Sequence, residues 1–213
     1  MLVDPMTERL AAAITTAAQL APPTLPVLEP LQPLLPDGGL RPGWTTQVGG
    51  AGATSLTLAL AAEASRSSWT ALVGLPHIGL RAASELGVDL DHVVVVAETT
   101  VDVFAAVIDA FDVVISCPPP RRKATRINAR VRERDAVLLT LGPTPDADLT
   151  IVGSAPQWYG IDDGHGHLAA RTLDVTVTGR RAAARPRHAT IWLPDEDGEI
   201  RVHTNNVARI RVI

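Results

Sequence analysis

Residues 47–60 read QVGGAGATSLTLAL. A strand end runs into a glycine-rich turn and out into an apolar helix, the layout of a phosphate-binding loop. The full pattern is G-x-x-x-x-G-K-[ST]. Counted from Gly49, it finds Thr54 where the second glycine belongs, Ser55 at the lysine and Leu56 at the metal-binding hydroxyl. Gly49, Gly50, Gly52, Thr54 and Ser55 are therefore a degenerate phosphate loop. Without lysine no point charge reaches the outer phosphates of a nucleotide. Leucine cannot coordinate magnesium. Thr54 is β-branched and resists the positive-φ geometry that glycine permits, so its hydroxyl reads best as a helix N-cap. What is left is a capped strand-to-helix turn.

Outward from that turn the pattern alternates. Strands are predicted at 45–48, 69–73, 93–96, 113–115 and 136–141, and helices at 55–65, 79–86, 101–110 and 122–134. The strands are short apolar runs, as expected when helices cover both faces of a sheet. This is an α/β chain with a mainly parallel sheet. From Asp148 the character changes to successive strands at 149–152, 168–178, 189–193 and 199–202, with Asp197-Gly198 at the tip of the last hairpin. Ahead of the core lie a helix over about 5–20, with Leu10 and Ile14 on one face, and a stretch with six prolines, APPTLPVLEPLQPLLPDGG, which allows only a short helical turn near Leu28–Leu34. The expected division is a helix and linker over 1–36, a core over 37–205 and a tail over 206–213.

The 213 residues suffice for one sizeable core, filled by Val, Leu, Ile and Ala because aromatics make up only 3%. A net charge of −4 does not advertise nucleic-acid binding, yet seven of the 19 Lys and Arg fall between Arg121 and Arg134 and four between Arg180 and Arg187. Cys117 is the only cysteine, so no intrachain disulfide forms, which fits a reducing cytoplasm. The acidic N-terminal start is a poor signal peptide, and no apolar run reaches membrane-spanning length.

The ordered segments GGLRPGWTTQVGG (38–50), TLAL (57–60), ELGVDLDHVVVV (85–96), FDVVIS (111–116) and VTVTGRRAAARPRHATIWL (175–193) resemble the RecA recombinase core. More closely they are similar to a degenerate branch, the ImuA′ family of actinobacterial DNA-damage proteins. The resemblance implies a RecA-like fold in which Leu75 stands at the place of the water-activating glutamate, while Ser116 and Cys117 replace the aspartate that ends the metal-holding strand. Asp112 lies at the other end of that strand. With the lysine also gone, three parts of a phosphoryl-transfer machine are missing together, so no ATP hydrolysis is expected. The two DNA-gripping loops of recombinases are shortened to a helix-bearing connection at 117–135 and to GPTPDA (142–147). Any DNA contact is then weak or indirect.

Several side chains compete for partner roles. Arg122, Arg126, Arg130 and Arg134 recur every four residues along one helix, as a solvated face, an acidic-partner surface or a weak phosphate-backbone contact. Arg180, Arg181, Arg185 and Arg187 lie in a hairpin or loop region. Trp158 and Tyr159 are adjacent in a loop-rich segment, either as a partner anchor or as a plug over the core. Arg209, Ile210 and Val212 belong to an alternating tail that reads as an added edge strand or as a segment that orders on binding. His165 and His167 lack supporting ligands for zinc and are read as a loop before a strand; DEDGE (195–199) is a hairpin turn, and Cys117 an inert thiol. No metal and no cofactor are expected.

The resemblance implies a non-catalytic adaptor that binds ImuB, through that protein's C-terminal region, and supports an error-prone C-family polymerase in translesion synthesis. Two alternatives stay open: a residual nucleotide-responsive DNA-binding protein, and a cell-division inhibitor of the SulA branch.

Overall fold

Thr45–Gly50 forms β1, the centre of the sheet, because its residues alternate between helices packed on either face. The computed structural model describes residues 23–162, 165–180 and 184–203. Leu10, Ile14, Arg181, Arg209, Ile210 and Val212 lie outside the described residues. In chain order the further elements are α1 (Ala53–Ser65), β2 (Thr70–Val73), α2 (Leu80–Glu85), β3 (Val93–Val96), α3 (Val101–Ala110) and β4 (Val113–Ser116). Then come α4 (Arg121–Arg134), β5 (Val137–Leu141), β6 (Leu149–Asp162), β7 (His165–Gly179), β8 (Arg187–Trp192) and β9 (Arg201–Val202). The nine strands form one sheet in the order β3-β2-β4-β5-β1-β6-β7-β8-β9. Strands β3 to β6 in that order are parallel, and β6 to β9 are antiparallel.

Side-chain alternation along the parallel strands divides the core in two. Leu72, Val113, Ile115 and Leu139 face a cluster built with α1, and Ala71, Val73, Val114 and Leu138 face one built with α3 and α4. Helix α1 is apolar on nearly every side and correspondingly buried. Helix α4 instead buries only Ala124, Ile127, Asn128 and Val131. Asn128 is a buried polar side chain with its needs met: it accepts from Thr45 Oγ1 and donates to the Pro145 carbonyl, each at 3.0 Å. That pair ties α4 to the start of β1.

The proline-rich stretch holds a short 3-10 helix at Glu29–Leu34, as predicted. Its leucines are spent on the core: Val27, Leu31, Leu34, Leu35 and Leu40 are buried with α1. The largest departure from expectation is β6. It does not stop at Val152 but runs to Asp162, paired with a β7 that begins at His165. Beyond Gly153 it leaves β1 but stays paired with β7, which carries β8 as far as Thr172 and past it continues with β6 as a two-stranded ribbon; a bulge lies between Ser154 and Gln157, where Ala155 takes a φ of 46°. Pro156 and Gly160 read as loop signals, but a ribbon tolerates both where its outer edge is unpaired and its ladder bulged. Trp158, Tyr159, His165 and His167 are thus strand residues rather than loop residues.

Candidate functional site

The glycine-rich turn is short. β1 continues to Gly50 and α1 begins at Ala53, leaving two residues between them. Gly50 and Gly52 adopt φ of 79° and 66°, the left-handed region that glycine enters freely. The turn is pressed against β6: Ala51 N donates to the Gly153 carbonyl at 2.8 Å, and a Cβ on either Gly50 or Gly153 would run into the opposing backbone. The N-cap is Gly52, with no side-chain cap, so the expected capping role of Thr54 does not hold. Thr54 and Ser55 sit inside the first helical turn instead, where no positive φ is asked of them. Gly49 lies within β1 with open space at its Cβ position.

The carboxyl ends of the parallel strands are where α/β proteins of this topology bind ligands. Here that edge carries a mainly apolar cleft. A cleft of about 240 Å³ is lined by Thr54, Leu75, Pro76, His77, Ile78 and Leu141, with Gly74 at its back. Leu75 and Thr54 thus line the same cleft, and no carboxylate is among its lining residues. Ser116 ends β4 fully buried, and its hydroxyl has no hydrogen-bond partner among the described residues. Asp112, at the opposite end, accepts from Trp69 N at 3.1 Å and closes the start of β2.

A second cleft, about 400 Å³, runs from Ser55 past Ala82, Glu85 and Leu86 to Pro194, Asp197 and Gly198. Near it stands the residue that sequence reading passed over, Arg171 of β7, which is only 9% exposed. Its Nε donates to the Leu193 carbonyl at 3.0 Å, and its Cζ lies 4.9 Å from the Trp158 ring centroid. Burial pushes its guanidinium below the ordinary value. The signal was present as an arginine among mostly small and apolar strand residues, LAARTL (168–173).

The arginine stripe of α4 is divided. Arg130 and Arg134 both pair with Asp109 at the end of α3. The hydrogen bond from Arg130, joined by Arg134, holds the Asp109 carboxyl at about 2, and the same contact raises Arg130. Arg122 and Arg126 are exposed and have no partner among the described residues. The continuous four-residue stripe is thus corrected to two unpaired arginines near the N-terminus of α4. In the second basic group, Arg180 pairs with Asp146 at 3.1 Å, and Arg187 belongs to β8.

Trp158 and Tyr159 point to opposite faces because successive strand residues do. Tyr159 stacks on Trp192 with centroids 4.9 Å apart, and Trp192 meets His203 edge-on at 5.2 Å. Trp158 remains half exposed, beside the exposed Ile161 and Leu168 of the ribbon. The pair therefore divides between plug and free surface. Among the described residues no cluster of three or more His, Cys, Asp or Glu is placed to hold a metal, and no helix is long and apolar enough to cross a membrane.

These features define a RecA-like α/β domain whose phosphate turn lacks its charged and metal-holding side chains. The fold is shared with the crystal structure of the RadB recombinase, with a TM-score of 0.55 over 83% of this chain and 97% of that one, at 14% identity. The family model of the MT3502 N-terminal domain matches residues 33–146, more than half of the 213 residues. The chain belongs to that family. It is also 33% identical over 135 residues to the uncharacterized protein Rv3395c of Mycobacterium tuberculosis; the match takes in 60% of this chain and 58% of that protein's length.

Proposed function

We propose that this chain is a non-catalytic, RecA-like adaptor of the ImuA′ type, which binds ImuB and supports an error-prone C-family polymerase during translesion synthesis. The observation that carries the reading is the β1–α1 turn: two residues long, without lysine or metal-binding hydroxyl, and beside a 240 Å³ cleft that Thr54 and Leu75 line together. A turn so built has nothing with which to orient a γ-phosphate or activate water, so no switch runs on hydrolysis. The molecule works by presenting surfaces. Two stand out: the Arg122–Arg126 patch, and the β6–β7 ribbon, where Trp158, Ile161 and Leu168 are each about half exposed.

Co-purification of the full chain with ImuB tests the assignment. Retention of ImuB, or of the polymerase through it, is the expected result, and capture of neither ends the adaptor reading. Arg122→Glu with Arg126→Glu is expected to weaken the complex while shifting unfolding stability by no more than about 0.5 kcal/mol, as at other exposed sites. Arg130 is left out of that variant because it holds Asp109.

A further inference from the structure

A groove runs between α2 and the turn that joins β8 to β9. Two clefts of about 400 and 380 Å³ meet there, since Glu85, Leu86 and Gly198 line both. One lobe reaches Ser55 past Ala82 and Pro194. The other reaches Leu28 and Pro30 beside Ile200. The floor is mainly apolar in both. Its outer wall is pre-organised by Asp195, which is buried. One carboxyl oxygen of Asp195 accepts from Asp197 N at 3.0 Å and from Glu199 N at 2.8 Å, and the other pairs with Arg201 at 3.1 Å. Asp195 N in turn donates to the Glu199 carbonyl at 2.8 Å. A wall closed in this way adds little ordering cost to binding.

Both rims carry an excess of negative charge. Glu85 stands on one, and Asp197 and Glu199 on the other. Arg201 is shared by Asp195, Asp197 and Glu199, so one positive charge answers three negative ones. Glu196 adds a further exposed carboxylate to the same turn. Glu85 pairs with Arg81 in an exposed i,i+4 contact, the kind that contributes little and yields readily. Arg66 is the one cation among the residues that line the groove, and Glu63 accompanies it. Such a site repels anions and favours a ligand that carries positive charge along an apolar body. An extended peptide meets that need, because its successive side chains point to opposite sides and can divide between floor and rim.

We propose that this groove docks a linear segment of another protein in which apolar residues alternate with Lys or Arg. The apolar side chains fill the lobes on either side of Leu86, and the basic ones face Glu85, Asp197 and Glu199. None of Arg122, Arg126, Trp158, Ile161 and Leu168 lines the groove, so the site goes beyond the adaptor reading and does not rest on it.

Fluorescence anisotropy of the full chain with three dye-labelled peptides, LRLRL, LELEL and SRSRS, tests the proposal. LRLRL is expected to saturate with a Kd on the order of 100 μM or tighter, and to weaken as added salt screens the rim. LELEL meets the acidic rim and SRSRS brings nothing to the floor, so each is expected to bind at least about tenfold more weakly. Ala82→Trp fills one lobe and is expected to weaken LRLRL about tenfold. Glu85→Lys is expected to reverse the preference, so that LELEL binds at least as well as LRLRL. Both positions are exposed, and circular dichroism establishes that each variant is folded; either one decides the matter if the other is not. No saturation of LRLRL by about 1 mM, equal binding of the three peptides, or unchanged binding by the folded variants would overturn the site. Dimerisation in sedimentation equilibrium that Ala82→Trp removes would give the groove to a second copy and overturn it as well. Capture of ImuB is a separate readout, so the two proposals fail independently.

Discussion

The two ends of the parallel sheet are built from different chemistry. At the amino ends of the strands, carboxylates are dense and occupied. Asp148 accepts from Thr45 N at 3.1 Å and pairs with Arg132 at 3.0 Å, Asp112 closes β2, and Asp109 gathers Arg130 and Arg134. At the carboxyl ends, Leu75, Pro76, Ile78 and Leu141 line the cleft beside Thr54. A RecA-like enzyme needs the reverse distribution, with acids and a cation where phosphates arrive. Here the acids serve as fasteners of strand starts, and the cleft beside Thr54 is lined mainly by apolar side chains. The contrast teaches that a fold can be retained for its shape, because the contacts that hold a sheet together lie away from those that cleave a substrate.

The contrast can be broken most forcefully at Asp148. Asp148→Ala removes an acceptor from the Thr45 N–H and a partner from Arg132, and is expected to cost about 2 kcal/mol in urea unfolding. A neutral result would show that this end of the sheet does not depend on its carboxylates. Asp109→Asn has a smaller effect whose pH dependence is diagnostic. The Asp109 carboxyl lies at about 2 in the folded chain against an ordinary 3.8. Its contribution is therefore fully present above the ordinary value and fades as pH falls toward 2. The stability gap between wild type and variant should narrow over that acid window and stay flat near neutrality. The smallest effect sharpens the other end. Thr54→Gly, Ser55→Lys and Leu56→Thr together restore the loop signature, yet with Leu75 in place no ATP turnover above background is expected in a phosphate-release assay. Turnover by that variant would mean that the apolar edge is not the barrier.

Local pattern revealed much of this. Short apolar runs and the amphipathic stripe of α4 gave the α/β order, because each depends on residues near in sequence. The missing lysine, glutamate and aspartate were legible for the same reason: a motif is a local object. The long ribbon was not, since its bulges and open outer edge excuse the proline and glycine that normally stop a strand. Nor was the division of the arginine stripe, because Asp109 lies on another helix, 21 residues from Arg130.

The sequence by itself determined what this protein lacks, for the absence of a lysine or a magnesium-binding hydroxyl needs no partner to be read. Only the tertiary structure decided what surrounds the turn. Arg171 is more than a hundred residues from Gly52 along the chain, and it reaches the turn through the β1–β6–β7 pairing that carries it there. Burial and the lack of a counter-charge are properties of surroundings rather than of residues, and strand order is what creates those surroundings.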